Sequence, residues 1–111
     1  MDYKKTNSGL EYKVIKMGKG KKPNATDTVE VHYEGKLENG HIFDSSYLRG
    51  EKISFPLNQV IVGWTEGLQL MPIGSIFEFK IPPELAYGNM ELPGIPAKST
   101  LIFKVELFNI K

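Results

Sequence analysis

The chain has no cysteine, two histidines, one arginine and one tryptophan among its 111 residues. Each scarcity removes a class of chemistry. Without cysteine there is no disulfide scaffold, no thiol nucleophile and no thiolate metal site, while the redox setting is left undetermined. With His32 and His41 as the only imidazoles, a zinc centre lacks its usual ligands, and neither a metal nor a cofactor is expected. No run approaches the ~20 apolar residues of a membrane helix, and residues 1–22 hold no apolar core for a signal peptide. As given, the sequence reads as soluble and untargeted. Disorder is excluded too: 41% hydrophobic and 24% charged residues are the composition of a globular chain, and the length suffices for one domain.

Charge is present but unevenly spread. Residues 1–22 carry seven lysines against Asp2 and Glu11, a balance of +5, whereas the whole chain is +1, so the remainder is −4. A nucleic-acid arm would add arginines and stacking aromatics; the only arginine is Arg49, and Tyr12, Val14 and Ile15 interrupt the lysines. The expectation is a solvated, Lys-rich edge and loop, with no nucleic-acid partner and no membrane partner.

The hydrophobic pattern alternates along most of the chain. Leu10, Tyr12 and Val14 predict a half-buried strand, which the glycines and proline of residues 17–24 then break. Thr28–Leu37 is the clearest strand, with Val29, Val31, Tyr33 and Leu37 on one face and Glu30, His32, Glu34 and Lys36 on the other. Glu38-Asn39-Gly40 supplies a reversal into a second strand carrying Ile42 and Phe43. Ser45–Glu51 reads as loop and Lys52–Leu57 as a short strand. Apolar residues at 60, 61, 64, 68 and 71 approximate helical spacing, and Pro72 would stop a helix at Met71. Ser75–Ile81 and Thr100–Ile110 alternate again. Between them, residues 82–99 hold four prolines and two glycines and read as one long loop without an element of its own, a length that in a compact domain is usually functional. The class is α+β: an antiparallel sheet of five to six strands over one short helix.

Familiar catalytic groupings are missing. His32 shares the polar face of its strand and His41 follows a turn, so neither is placed beside a nucleophile. Gly63-Trp64-Thr65-Glu66-Gly67 lacks the Lys-Ser/Thr ending of a phosphate loop, and no paired-carboxylate spacing occurs. Aromatic residues are abundant instead: six Phe, five Tyr and one Trp. Phe77 and Phe79, inside a regular strand, read as core. Phe43-Asp44, Trp64 beside Gly63, and Tyr87-Gly88 stand at element ends, where rings line a concavity; with one carboxylate and a few hydroxyls, that concavity is a ligand pocket.

Five blocks in order then carry a resemblance: Val31-His-Tyr33-Glu-Gly35, Phe43-Asp-Ser-Ser46, Asn58 through Gly67, Ile81 through Gly88, and Leu101 through Leu107. Together they resemble an FKBP-type peptidyl-prolyl cis-trans isomerase over residues 8–111, with residues 1–7 as an N-terminal extension. Ser8–Ile15, Phe55–Ile61 and Gly67–Pro72 further resemble the bacterial macrophage-infectivity-potentiator branch. The resemblance implies a half-barrel wrapped around a short helix. It also implies a pocket of Tyr33, Phe43, Asp44, Phe55 (or Ile53 in its place), Val60, Ile61, Trp64, Tyr87 and Phe103, with Trp64 as floor. Leu92 stands where many eukaryotic members carry a histidine; with Ile95 it is expected among the residues that bind substrate or macrolide. Proline-containing peptides, unfolded protein clients and rapamycin-type macrolides are the implied partners, with this chain alone a monomer. A complete chain would be cytoplasmic, and an excised domain periplasmic or on the cell surface.

The aromatic pocket suits prolyl isomerisation, because no bond breaks and the twisted amide is less polar than the planar one. Asp44 is expected to anchor Tyr33 and polarise the site, or alternatively to cap the turn at Ser45 and Ser46. Two rival readings are a non-catalytic module that holds Pro-containing peptides, using Leu85, Met90, Leu92 and Ile95 of the long loop, and a purely structural domain whose aromatics are core.

Overall fold

The computed structural model describes residues 3–111. In chain order the strands are β1 (Lys4–Lys5), β2 (Glu11–Lys16), β3 (Thr28–Leu37), β4 (Ile42–Ser45), β5 (Ile53–Pro56), β6 (Ile76–Ile81) and β7 (Leu101–Ile110), with helices α1 (Ser46–Arg49) and α2 (Val62–Leu68). All pairings are antiparallel in the order β1-β2-β6-β7-β3-β4, and β5 also pairs with β3. The result is the expected α+β sheet over a short helix, with seven strands where five to six were anticipated. Of the expected N-terminal extension, residues 1–2 lie outside the described residues, and Lys4 and Lys5 pair with Tyr12 and Glu11 at the sheet edge.

Alternation sets the core. Val29, Val31 and Tyr33 of β3, Phe77, Phe79 and Ile81 of β6, and Leu101, Phe103, Val105 and Leu107 of β7 all face inward and are buried. The sheet coils around α2, whose Trp64 and Leu68 complete the cluster. Two glycines let the helix settle on β6. A Cβ at Gly63 would lie 2.6 Å from Ile81 Cγ2, and one at Gly67 would lie 2.7 Å from Phe79 Cε1, so only hydrogen fits at either place.

Three expectations are corrected. Ser45–Glu51 is not a plain loop: the Ser45 side chain accepts a hydrogen bond from the Leu48 N–H, capping the one-turn α1, and Gly50 ends it at φ 76°. The helix expected over 60–71 is the shorter α2, because Val60 and Ile61 stay extended and Leu70 and Met71 close three-residue turns on Gly67 and Leu68. Residues 82–99 do contain local structure. Pro83–Leu85 forms a 3-10 turn, and Leu92 and Ile95 bridge each other around Pro93-Gly94, with Gly94 at φ 80° as a type II turn requires.

Candidate active site

The pocket opens between the N-terminal end of α2 and the sheet at β3, β4, β5 and β7. It is a cavity of about 460 Å³ lined by Tyr33, Phe43, Asp44, Phe55, Gln59, Val60, Ile61, Trp64, Tyr87 and Phe103. Trp64 is the floor, 4% exposed, and three rings meet it edge-on: Tyr33 at 5.3 Å, Phe55 at 5.5 Å and Phe103 at 5.3 Å between centroids. Phe43 then meets Phe103 edge-on at 5.6 Å. Perpendicular rings of this kind lock one another, because each positive edge rests on a negative face.

Gly35 makes room for two of these walls. It pairs with Asp44 on β4 and Phe103 on β7, and a Cβ there would lie 2.6 Å from Phe103 Cε1 and 2.8 Å from Phe43 Cζ. Ile61 precedes α2 in an extended conformation, and its carbonyl accepts the N–H groups of Trp64 at 2.9 Å and Thr65 at 3.1 Å. Its own N–H therefore stands ahead of the helical ladder, at the cavity wall.

One charged arrangement sits at the rim. The Tyr33 hydroxyl donates to Asp44 Oδ2, Arg49 Nη1 donates to Asp44 Oδ1, and Arg49 Nη2 donates to the Tyr33 oxygen at 3.1 Å. Both carboxylate oxygens are engaged, so Asp44 holds a ring and a cation and is not placed as a free base. Burial alone would push the Asp44 carboxyl up; the hydrogen bonds from Tyr33 and Arg49 and the guanidinium charge outweigh it and hold the group below its ordinary range. Burial pushes the Tyr33 phenol up, and its hydrogen bond to the Asp44 carboxylate pushes it further. Of the two roles foreseen for Asp44, the cap falls to Ser45 and the anchor to Asp44.

Behind Tyr33, the buried Ser46 Oγ accepts the Tyr33 N–H at 2.7 Å and lies 2.8 Å from His32 Nδ1. His32 itself stacks on Tyr47 on the opposite side of the sheet, away from the cavity.

Nine of the expected site residues, Tyr33, Phe43, Asp44, Phe55, Val60, Ile61, Trp64, Tyr87 and Phe103, meet on this cavity. Phe55, not Ile53, takes the place in its wall. Leu92 and Ile95 are not on the lining. Their mutual hydrogen bonds, 2.9 Å each, fold the chain so that Ile95 is 6% exposed in the core and Leu92 packs partly against it. The turn stays close, since a Cβ at Gly94 would be 3.7 Å from Phe43 Cβ. Sequence reasoning missed Gln59, signalled by its place directly before Val60 and Ile61, and Arg49, signalled by being the sole arginine, five residues after Asp44.

An open antiparallel half-barrel closed by one short helix over a ring-walled pocket is the class of domain that the fold and site define. Known proteins give that class its family. The sequence matches the family model of FKBP-type peptidyl-prolyl cis-trans isomerases over residues 19–108. It is 59% identical to FkpA of Aeromonas hydrophila over 108 residues, covering 97% of this chain and 40% of that protein. Against the Mip isomerase of Coxiella burnetii it is 50% identical over 105 residues, covering 94% of this chain and 46% of that one. The crystal structure of FkpA from Escherichia coli superposes with a TM-score of 0.95 at 51% identity, covering 98% of this chain and 51% of the other. AtFKBP13 superposes at 0.94 with 34% identity and full coverage of both chains. The chain belongs to the FKBP-type peptidyl-prolyl cis-trans isomerase family, a family of isomerases, as the resemblance implied. It spans less than half the length of the Aeromonas hydrophila FkpA and Coxiella burnetii Mip proteins.

Proposed function

We propose that residues 8–111 catalyse cis-trans isomerisation of Xaa-Pro bonds, with residues 1–7 adding an edge strand. The observation that carries this reading is the Trp64 floor ringed edge-on by Tyr33, Phe55 and Phe103. Rotation about a prolyl amide is opposed by ~18–20 kcal/mol of lost resonance, and no bond is made or broken. At the barrier the nitrogen has regained its lone pair and the carbonyl has lost charge, so the twisted amide is less polar than either planar form. A water-poor aromatic pocket therefore favours the transition state over the substrate.

In this reading the pyrrolidine ring sits on Trp64 between Tyr33, Phe43, Phe55 and Phe103, with Val60 completing the wall. The Ile61 N–H and the Tyr87 hydroxyl each donate to a substrate carbonyl, holding one side of the bond while the other turns. Asp44, fixed by Tyr33 and Arg49, supplies an oriented dipole at the rim. A barrier lowered by about 7 kcal/mol would give roughly 10⁵-fold acceleration. Unfolded protein clients and rapamycin-type macrolides would share the cavity, and this domain alone would act as a monomer.

Trp64 is the only tryptophan, so its emission reports the pocket alone. A Phe-Pro peptide is expected to change that emission saturably and to be cleaved faster in a protease-coupled assay that accepts only the trans form. Unchanged emission with uncatalysed cleavage would refute the reading.

A further inference from the structure

Residues 15–22, Ile-Lys-Met-Gly-Lys-Gly-Lys-Lys, carry four lysines and no acid. Lys16, Lys19, Lys21 and Lys22 are all exposed, and among the described residues none has a carboxylate within 4.0 Å. Two large apolar side chains stand among them: Ile15 is 43% exposed and Met17 57%. Their exposure follows from the backbone. Tyr12 and Val14 face the core, so alternation places Ile15 on the outer face, and the bulge between Val14, which pairs with Phe77, and Lys16, which pairs with Ile76, turns Lys16 outward as well.

The loop that follows is pinned. Gly18 N–H donates to Ser75 Oγ at 2.8 Å, Gly20 N–H to the Ile73 carbonyl at 3.1 Å, and Ile73 N–H to the Lys21 carbonyl at 2.9 Å. Met17 Sδ lies 4.0 Å from Ser75 Oγ. Gly18 runs so close to the neighbouring turn that a Cβ would sit 2.3 Å from the Ile73 oxygen. The tip cannot fold over to hide Ile15 and Met17, and residues 72–75 beneath it carry no charge to neutralise the lysines.

We propose that this tip is a membrane-contact surface that seats the domain on a bilayer containing anionic phospholipid. The lysines meet the phosphates, and Ile15 and Met17 enter the interfacial layer. A plane of phosphates above acyl chains satisfies cations and exposed aliphatics at once. Nucleic acid fits less well, because residues 15–22 hold neither arginine nor a ring to stack on a base. The tip itself, residues 15–22, carries +4 while the whole chain is +1, so the rest is −3, an asymmetry that orients the tip toward a negative surface. The expectation of no membrane partner rested on the lack of a spanning segment. Among the described residues no helix is long and apolar enough to cross a membrane, and surface contact requires none. No cavity-lining residue lies in 15–22, so the contact uses none of the pocket's residues.

Co-sedimentation with vesicles tests this. At low salt the protein should pellet with vesicles of phosphatidylcholine and phosphatidylglycerol in equal parts, and not with phosphatidylcholine alone. Replacing Lys19, Lys21 and Lys22 together by Gln should weaken binding on the order of a hundredfold, at about fivefold per lysine. Ile15→Ser with Met17→Ser should weaken it roughly tenfold at unchanged charge. Both variants should keep the isomerisation rate of the parent, which shows that they are folded. Equal binding to the two vesicle types, parental binding by the Ile15/Met17 variant, or tighter binding to polyglutamate or duplex DNA than to the vesicles would overturn the proposal.

Discussion

Replacing Gly35 by alanine perturbs the pocket without removing any functional group. The new Cβ would lie 2.6 Å from Phe103 Cε1 and 2.8 Å from Phe43 Cζ, where ~3.5–4.0 Å is the comfortable separation. Something must move by about 1 Å. The backbone of β3 is held on both sides, by β4 through the Asp44 register and by β7 through the Phe103 register. The two rings must yield instead, and their free side is the cavity. Overpacking of this kind costs ~1–3 kcal/mol of stability. Displacing positioned groups by about 1 Å can cost on the order of a hundredfold in rate, so kcat/KM should fall by about tenfold to a hundredfold. Gly18→Ala is the matching control: its Cβ meets the Ile73 carbonyl at 2.3 Å, far from every pocket ring, so it should lower the Tm while leaving kcat/KM of the folded protein unchanged. Thermal unfolding and peptide exchange kinetics, measured on both variants below their Tm, separate the two effects. A Gly35→Ala protein with reduced Tm and parental kcat/KM would refute the claim that these rings shape the reacting site.

Asp44→Leu should cut turnover yet leave the fold intact, because the side chain sits at the rim and no strand depends on it; unchanged turnover would remove Asp44 from the mechanism. Its carboxylate is held below the ordinary range, so the stability it contributes is complete above the unfolded value of ~3.9 and is lost as pH falls through the lowered folded value. Arg49→Ala takes away part of that lowering, and the acid limb of activity should move to higher pH; an unmoved limb would show that Arg49 does not tune the site. The Tyr33 phenol behaves oppositely: its stabilisation is complete below ~10 and lost as pH rises through the raised folded value, a loss that Tyr33→Phe should abolish in alkaline unfolding. Tyr87→Phe keeps the ring and removes the single neutral hydrogen bond to substrate proposed for its hydroxyl, so kcat/KM should drop by about twofold to tenfold, and a larger loss would mean that the ring itself had moved.

The alternation of β3, β6 and β7 was legible because one face of each is dry, so period-two burial shows directly in the residues. Phe43, Trp64 and Tyr87 were legible as aromatics at element ends, whereas Tyr33, Phe55 and Phe103 lie within strands and were placed only by the family resemblance. What did not show was anything set by close approach between distant segments. Nothing local says that Gly35 must leave room for Phe43 and Phe103, or that Gly63 and Gly67 must let α2 down onto Ile81 and Phe79. The turn of α1 rests on a single Ser45 cap, too short to leave a periodic trace, and Arg49 reaches Asp44 only because that turn forms. Val60 and Ile61 fit a helical spacing yet remain extended, since they serve as cavity wall before α2 begins. Ile95 lies off the cavity lining for a related reason: Pro93-Gly94 reverses the chain, and the bridge to Leu92 leaves Ile95 buried in the core cluster.

Prolyl isomerisation in this aromatic pocket is best confronted by magnetisation exchange between the cis and trans forms of a short Leu-Pro or Phe-Pro peptide, recorded by NMR with and without rapamycin. No protease is needed, and catalysis and site are read together. Exchange accelerated by catalytic amounts of the protein and returned to the uncatalysed rate by rapamycin is the expected result. Slow exchange while the peptide still binds would contradict catalysis and leave a proline-binding module in its place.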